Sequence, residues 1–221
     1  RKAAARSIAS GRIEAGRALA VGLDRAHDSA TAHRPRARGG RLSRVRSPVD
    51  AAKVHRLLRE LGLRSRGPGD VFLTGGATAL LLGWRASTVD VDLKLDPEPP
   101  GVFEAIARLK QELDVNVELA SPDLFLPPVP GWREGSVFIA EHGGVRFFHY
   151  DLRGQALAKI ARGHERDLAD VAAMLTAGHV SADALHDAFA AIEPGLIRYP
   201  ALDAGALRAR VHRFLEARDG G

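Results

Sequence analysis

Val71-Phe-Leu-Thr-Gly-Gly-Ala-Thr-Ala-Leu-Leu-Leu-Gly-Trp-Arg-Ala-Ser-Thr-Val-Asp-Val-Asp-Leu-Lys-Leu95 is the stretch on which the fold turns. Its opening apolar run, Val71 to Leu73, reads as a buried strand, and Ala77 to Leu82 is long enough for about two helical turns. Between them, Gly75 and Gly76 let the backbone come close to a bound group, and the helix amino end offers free N–H donors to an anion. Residues 88–95 then alternate. Thr88, Asp90, Asp92 and Lys94 point one way; Val89, Val91, Leu93 and Leu95 point the other. Two carboxylates on one strand face, about 7 Å apart along the backbone, repel each other unless a cation sits between them. Mg²⁺ takes one or two carboxylates and shares its remaining positions with water and phosphate oxygens. A phosphate cradle beside a carboxylate pair is a nucleotide-and-metal pattern.

Working outward, Ser47-Pro48-Val49-Asp50 has the form of a helix start, with Ser47 as cap and Pro48 at the first helical position. Val54, Leu57, Leu58 and Leu61 give that helix its apolar stripe, and Gly62 is its expected stop. Asp96 to Gly101 is a turn-rich break, after which Val102, Ile106, Leu109 and Leu113 mark a second amphipathic helix. Val115 to Leu119 alternates again, so Asn116 and Glu118 share a face. If this strand lies beside the Asp90/Asp92 strand, Glu118 is the third carboxylate of a metal site, with Asp114 at the strand entrance as the fallback. The proline-rich run Ser121 to Trp132 holds Phe125 and Trp132, which are expected to anchor the loop rather than stack on a base. Ser136 to Ala140 and Val145 to Tyr150 read as a hairpin around His142-Gly143-Gly144. His142 and His149 have no metal-ligand spacing.

Asp151 to Leu175 is the second informative block. A helix ending at Gly163 carries Lys159 and Arg162, and the helix after it has Leu168, Val171, Ala172 and Leu175 as its apolar stripe. Asp167 and Asp170 lie three apart, as do Lys159 and Arg162, so two bases and two acids are set to hold the helices together. Ser181 to Ala191 and Leu202 to Arg218 are two more helices around the breaker Glu193-Pro194-Gly195, with Ser181 and Asp203 as caps, expected to buttress the sheet. Arg208, Arg210, Arg213 and Arg218 mark a possible nucleic-acid path.

At 221 residues and 45% apolar composition the chain can bury a substantial core. Residues 1–46 hold twelve Lys or Arg against three acids; with a net charge of +5 overall, the remainder is at −4. The basic balance therefore belongs to an amino-terminal arm, suited to a polyanion or an acidic partner. There is no cysteine, hence no disulfide framework or thiolate metal site, and no apolar run approaches a membrane span; a cytoplasmic location is expected. The expected organisation is a basic arm or linker at 1–46, an α/β (α+β) core at 47–150, and a helical part at 151–221 that completes the site.

Thr74-Gly75-Gly76-Ala77 followed by Arg85 to Leu93 resembles the signature of the polymerase-beta-type nucleotidyltransferase superfamily, a glycine turn, a spacer and Asp-x-Asp. The block Lys159, Arg162-Gly163, Arg166-Asp167-x-x-Asp170 resembles the later motif of the minimal nucleotidyltransferase toxins of abortive-infection and type IV toxin–antitoxin systems. The resemblance covers roughly residues 68–176. It implies a mixed sheet flanked by helices and transfer of a nucleoside monophosphate from an NTP. It also implies Mg²⁺ (or Mn²⁺) on Asp90, Asp92 and Glu118, and a nucleotide held by Thr74, Gly75, Gly76, Arg85, Thr88, Lys159, Arg162, Asp167 and Asp170. The implied acceptor is tRNA, or alternatively protein, and the implied partner a co-encoded antitoxin. A catalytically idle RNA- or partner-binding module of the same fold is the competing expectation.

Overall fold

The computed structural model describes residues 48–219. The basic arm and Ser47 lie outside the described residues. The expected mixed sheet flanked by helices is present.

The chain enters in extended form, with Val49 fully buried and bridged to Thr88 by 2.8 and 3.0 Å backbone hydrogen bonds in both directions. Helix α1 spans Ala51–Arg64, and its cap is Asp50, whose side chain accepts from the Lys53 N–H, not Ser47. The bridge at Val49 holds the backbone extended through the position where the sequence suggested a first turn. Gly62 does not stop α1 either. It lies inside the helix against the turn at His142, where a Cβ would meet backbone. The glycine therefore serves helix–turn contact, at a cost in helix propensity of about 1 kcal/mol.

Strand β1 (Gly69–Thr74) runs into α2 (Gly75–Leu81), followed by β2 (Asp90–Leu95), α3 (Val102–Glu112) and β3 (Asn116–Leu119). After a 3₁₀ turn at Pro122–Leu124 come β4 (Val137–His142) and β5 (Val145–His149), then α4 (Leu152–Arg162) and α5 (Glu165–Thr176). Helix α6 (Ala182–Ile192), a 3₁₀ stretch at Glu193–Arg198 and α7 (Ala204–Asp219) complete the described chain. The strand order is β3-β2-β1-β5-β4, with β1/β2 and β4/β5 antiparallel and β1/β5 and β2/β3 parallel.

Period-2 alternation makes β2 two-faced: Val91 and Leu93 are buried, Asp90 and Asp92 half-buried on the opposite face. The buried face joins Leu57, Leu58 and Leu61 of α1, Leu73 of β1 and Leu109 of α3 in one core. Each such side chain contributes about 1.5–3 kcal/mol of burial free energy. A second core is built by α4, α5, α6 and α7 with Leu126 and Val129 of the loop. Helices α6 and α7 pack on α4 and on each other, correcting the expectation that they buttress the sheet. Ser181 and Asp203 cap as expected, accepting from the N–H groups of Ala184 and Ala206. Trp132 anchors the proline-rich loop by stacking on Tyr150 (4.8 Å between ring centroids) and meeting Phe72 edge-on at 5.0 Å. No described helix is long and apolar enough to cross a membrane.

Candidate active site

A cleft of about 400 Å³ opens between the sheet and the α4–α5 pair. Its floor follows from strand register. Thr74 of β1 stands opposite Asp92 of β2, and Asp92 stands beside Glu118 of β3, so three polar side chains form one row across three strands. Asp90 is one pleat away on the same face, beside Asn116. Asp114, the fallback acid, sits in the α3–β3 turn at φ 47°, its carbonyl accepting from Lys53 Nζ, and does not line the cleft.

The glycine turn abuts the acids. Gly75 has φ 61°, a conformation costly for any residue with a side chain, and a Cβ built on it would lie 2.6 Å from Asp92 Oδ2. A Cβ on Gly76 would collide with Thr88 Oγ1. The backbone thus comes close to the protein's own carboxylate and hydroxyl. The Gly75 N–H is not free: it donates to Gln155 Oε1 at 2.9 Å. Both threonine hydroxyls are also committed, Thr74 Oγ1 to the Ala120 carbonyl and Thr88 Oγ1 to the Asp90 carbonyl, each at 3.0 Å. Both threonines line the cleft, and their protons are spent on main chain.

Among the described residues Asp90, Asp92 and Glu118 form no ion pair. Burial, then Glu118 and Asp90, push the Asp92 carboxyl up to about 6, against a smaller pull from Arg162 and Lys159. The Asn116 amide lies between the other two acids, donating 2.7 Å hydrogen bonds to Asp90 Oδ1 and Glu118 Oε1. Among the described residues no three His, Asp or Glu side chains are drawn together as a metal-ligand group. A Mg²⁺ site does not require three, since one or two carboxylates plus water and phosphate oxygens complete it. The uncompensated repulsion around Asp92 and the all-oxygen donor set fit such an ion.

The opposite wall is electrically closed. Lys159, 3% exposed, donates from Nζ to Asp170 Oδ2 at 2.5 Å and Asp167 Oδ1 at 3.2 Å. Asp170 also takes a two-pronged contact from Arg85, Nε at 2.7 Å and Nη2 at 2.5 Å. Arg162 grips Asp167 with Nε and Nη2, both at 2.9 Å. Burial alone would push Asp167 up, but Arg162 and Lys159 outweigh it and hold the carboxyl at about 2. Lys159 therefore reaches the cleft already neutralised, and the less buried Arg162 carries positive charge to its surface. Arg85 keeps its Nη1 edge facing the glycine turn, 3.4 Å from where a Gly76 Cβ would be.

All the sequence-derived site residues line this cleft except Asp170, which stands behind it holding Lys159 and Arg85. Four further polar or aromatic residues line it. Gln155 precedes Lys159 by four and Arg162 by seven, a one-face spacing that was available in the sequence. Its Nε2 donates to the Tyr150 carbonyl at 2.7 Å, so the side chain ties the glycine turn to α4. Arg166 and Ser121 also line the cleft, and so does Phe125, 52% exposed, which is not the loop anchor expected of it. The anchoring falls to Trp132, which packs on Phe72 and Tyr150, and to Leu126 and Val129, which turn into the second core.

Comparison with curated proteins and with solved structures gives no match. A family model described as a nucleotidyltransferase of unknown function (DUF6036) matches residues 52–206, from the first turn of α1 into α7 and across every element that builds the cleft. The chain belongs to this nucleotidyltransferase family.

Proposed function

We propose that the protein moves a nucleoside monophosphate from an NTP to an acceptor hydroxyl. The observation that carries this reading is the row Thr74–Asp92–Glu118 in front of the glycine turn, with Asp92 in no ion pair among the described residues. The acceptor oxygen bonds to the α-phosphorus as the bond from that phosphorus to the bridging oxygen breaks. Pyrophosphate leaves with the electron pair, and the hydroxyl proton passes to solvent along the carboxylate edge, of which Glu118 is an exposed member. Such chemistry needs alignment and charge balance more than covalent help. Asp90 and Asp92, with Glu118 beside them, would hold Mg²⁺ (or Mn²⁺), which would supply charge neutralisation for the phosphoryl oxygens. The chain's own contribution is positional. Gly75 and Gly76 keep the turn open to the triphosphate, Arg85 and Arg162 offer it their free guanidinium edges, and Arg166 adds charge at the rim. Lys159, Asp167 and Asp170 fix those arginines. Phe125 offers an exposed ring to the base.

The acceptor is proposed to be tRNA and the role that of a toxin restrained by a co-encoded antitoxin; the support is the resemblance in the later motif and the basic charge of residues 1–46. The test is incubation with each α-labelled NTP, Mg²⁺, and either total RNA or total protein, resolved on a gel. Label in a tRNA-sized band is expected. Label in protein moves the acceptor class, and no label with any NTP removes the reading. A second reading, an idle binding module, is favoured by the Asn116 amide that links Asp90 to Glu118. It requires that Mg²⁺-dependent NTP binding be absent.

A further inference from the structure

A second cavity, about 420 Å³, shares Arg162 with the cleft. Ile160 and Leu168 give it an apolar floor, Phe214 of α7 a ring, and Arg162, Arg210 and Arg213 a rim of three guanidiniums. No acid lines it. Arg162 uses Nε and Nη2 on Asp167, leaving its other edge available. Arg210 donates to the Ala161 carbonyl at the end of α4, which fixes it over the cavity. Arg213 is exposed and, among the described residues, ion-paired to nothing.

We propose that this cavity holds the single-stranded end of a nucleic-acid acceptor, a base against Phe214 and backbone phosphates on Arg210 and Arg213; this rests on the nucleotidyl-transfer reading. The argument is charge complementarity and continuity. Flat apolar faces ringed by arginines suit an unstacked base with its phosphates. Arg162 forms part of both cavities, so a strand seated here has its next nucleotide beside the cleft where the donor would lie. Bases in a duplex are stacked and cannot enter, so the site selects unpaired strands.

The test is fluorescence anisotropy on the full chain with a labelled single-stranded RNA 10-mer, the matching duplex and a poly-glutamate peptide, across a salt series. The variants are Arg213→Glu, which is solvent-exposed, and Phe214→Leu, which keeps apolar packing; thermal melting checks that each is folded. Arg213→Glu is expected to weaken single-strand binding about tenfold and lower the salt slope by about one. Phe214→Leu is expected to weaken it about fivefold or more with the slope unchanged. Duplex affinity is expected to change less in both. Unchanged single-strand affinity in both folded variants overturns the proposal, as does a wild type that prefers duplex. Loss of peptide binding alone also overturns it, in favour of an acidic protein partner. Mg²⁺–NTP binding to the wild type is measured in parallel. Its absence, with single-strand binding still dependent on Arg213, brings down the transfer reaction and leaves the nucleic-acid site.

Discussion

Asp92 on β2 and Asp167 on α5 line the same cleft, yet one carboxyl is pushed up to about 6 and the other held at about 2. Residue type and cavity are shared; the neighbours differ. On the helical wall Asp167 and Asp170 each have a cation supplied by the chain itself, from Lys159, Arg85 or Arg162. The strand wall has acids crowded on one face and, among the described residues, no ion-pair partner. The difference teaches which acids are structure and which are held for a charge from outside. A buried acid that already has its cation gains little from another, whereas an unpaired one is destabilising until a cation arrives.

The largest expected break in this comparison comes from Asp170→Ala. It leaves Lys159 and Arg85 partly buried without their shared counter-charge, which is expected to cost about 3–5 kcal/mol in urea unfolding. A loss below about 1 kcal/mol would mean the helical wall does not depend on its pairing. Asp92→Asn should behave in the opposite way. Transfer from α-labelled NTP is expected to fall about 10²–10³-fold, corresponding to about 2.7–4 kcal/mol, while the ligand-free protein at pH 8 melts no lower than wild type. Retained transfer would place the reacting centre elsewhere. Gly75→Ala sharpens the comparison from the turn's side: the positive φ costs about 1–2 kcal/mol, and the methyl must displace Asp92, so Mg²⁺-dependent NTP binding is expected to drop in calorimetry with the fold retained.

The smallest effect is in pH. Asp167 is lowered from 3.8 to about 2, so its contribution is complete above about pH 4 and is lost as pH falls toward 2. Asp92 is raised from 3.8 to about 6, so the folded chain binds more protons than the unfolded one between those values, and stability falls as pH rises from about 4 to 6. Melting curves across that window are expected to lose this downward slope in Asp92→Asn. Added Mg²⁺ is expected to raise Tm more at pH 8 than at pH 5.

Much of the strand wall was legible because its signals are local. The alternation of residues 88–95 and 115–119 fixed which acids share a face, and the glycine pair marked the turn. The spacing grouped Lys159 with Arg162 and Asp167 with Asp170 and offered an ion-pair network between the two helices; which base meets which acid depends on how α4 and α5 pack. What escaped depends on residues far apart in sequence meeting in space. The Val49–Thr88 bridge moved the cap from Ser47 to Asp50, and the close approach of His142 gave Gly62 a packing role in place of a stop. Nothing near Phe125 marks it as the aromatic that faces the cleft while Trp132 turns inward; that choice is made by the rings of Phe72 and Tyr150. The docking of α6 and α7 on α4 likewise follows from where the second core lies.

The hydrogen bond from Gly75 to Gln155 spans 80 positions of chain. A ribosome making this protein finishes the sheet's first two strands long before the glutamine that steadies the turn between them has been synthesised. The ion pairs behind the cleft wait longer still, until α5 has emerged. A chain interrupted in translation after the hairpin would carry all three strand acids and no far wall, so premature products lack a finished pocket by the order in which the gene is read.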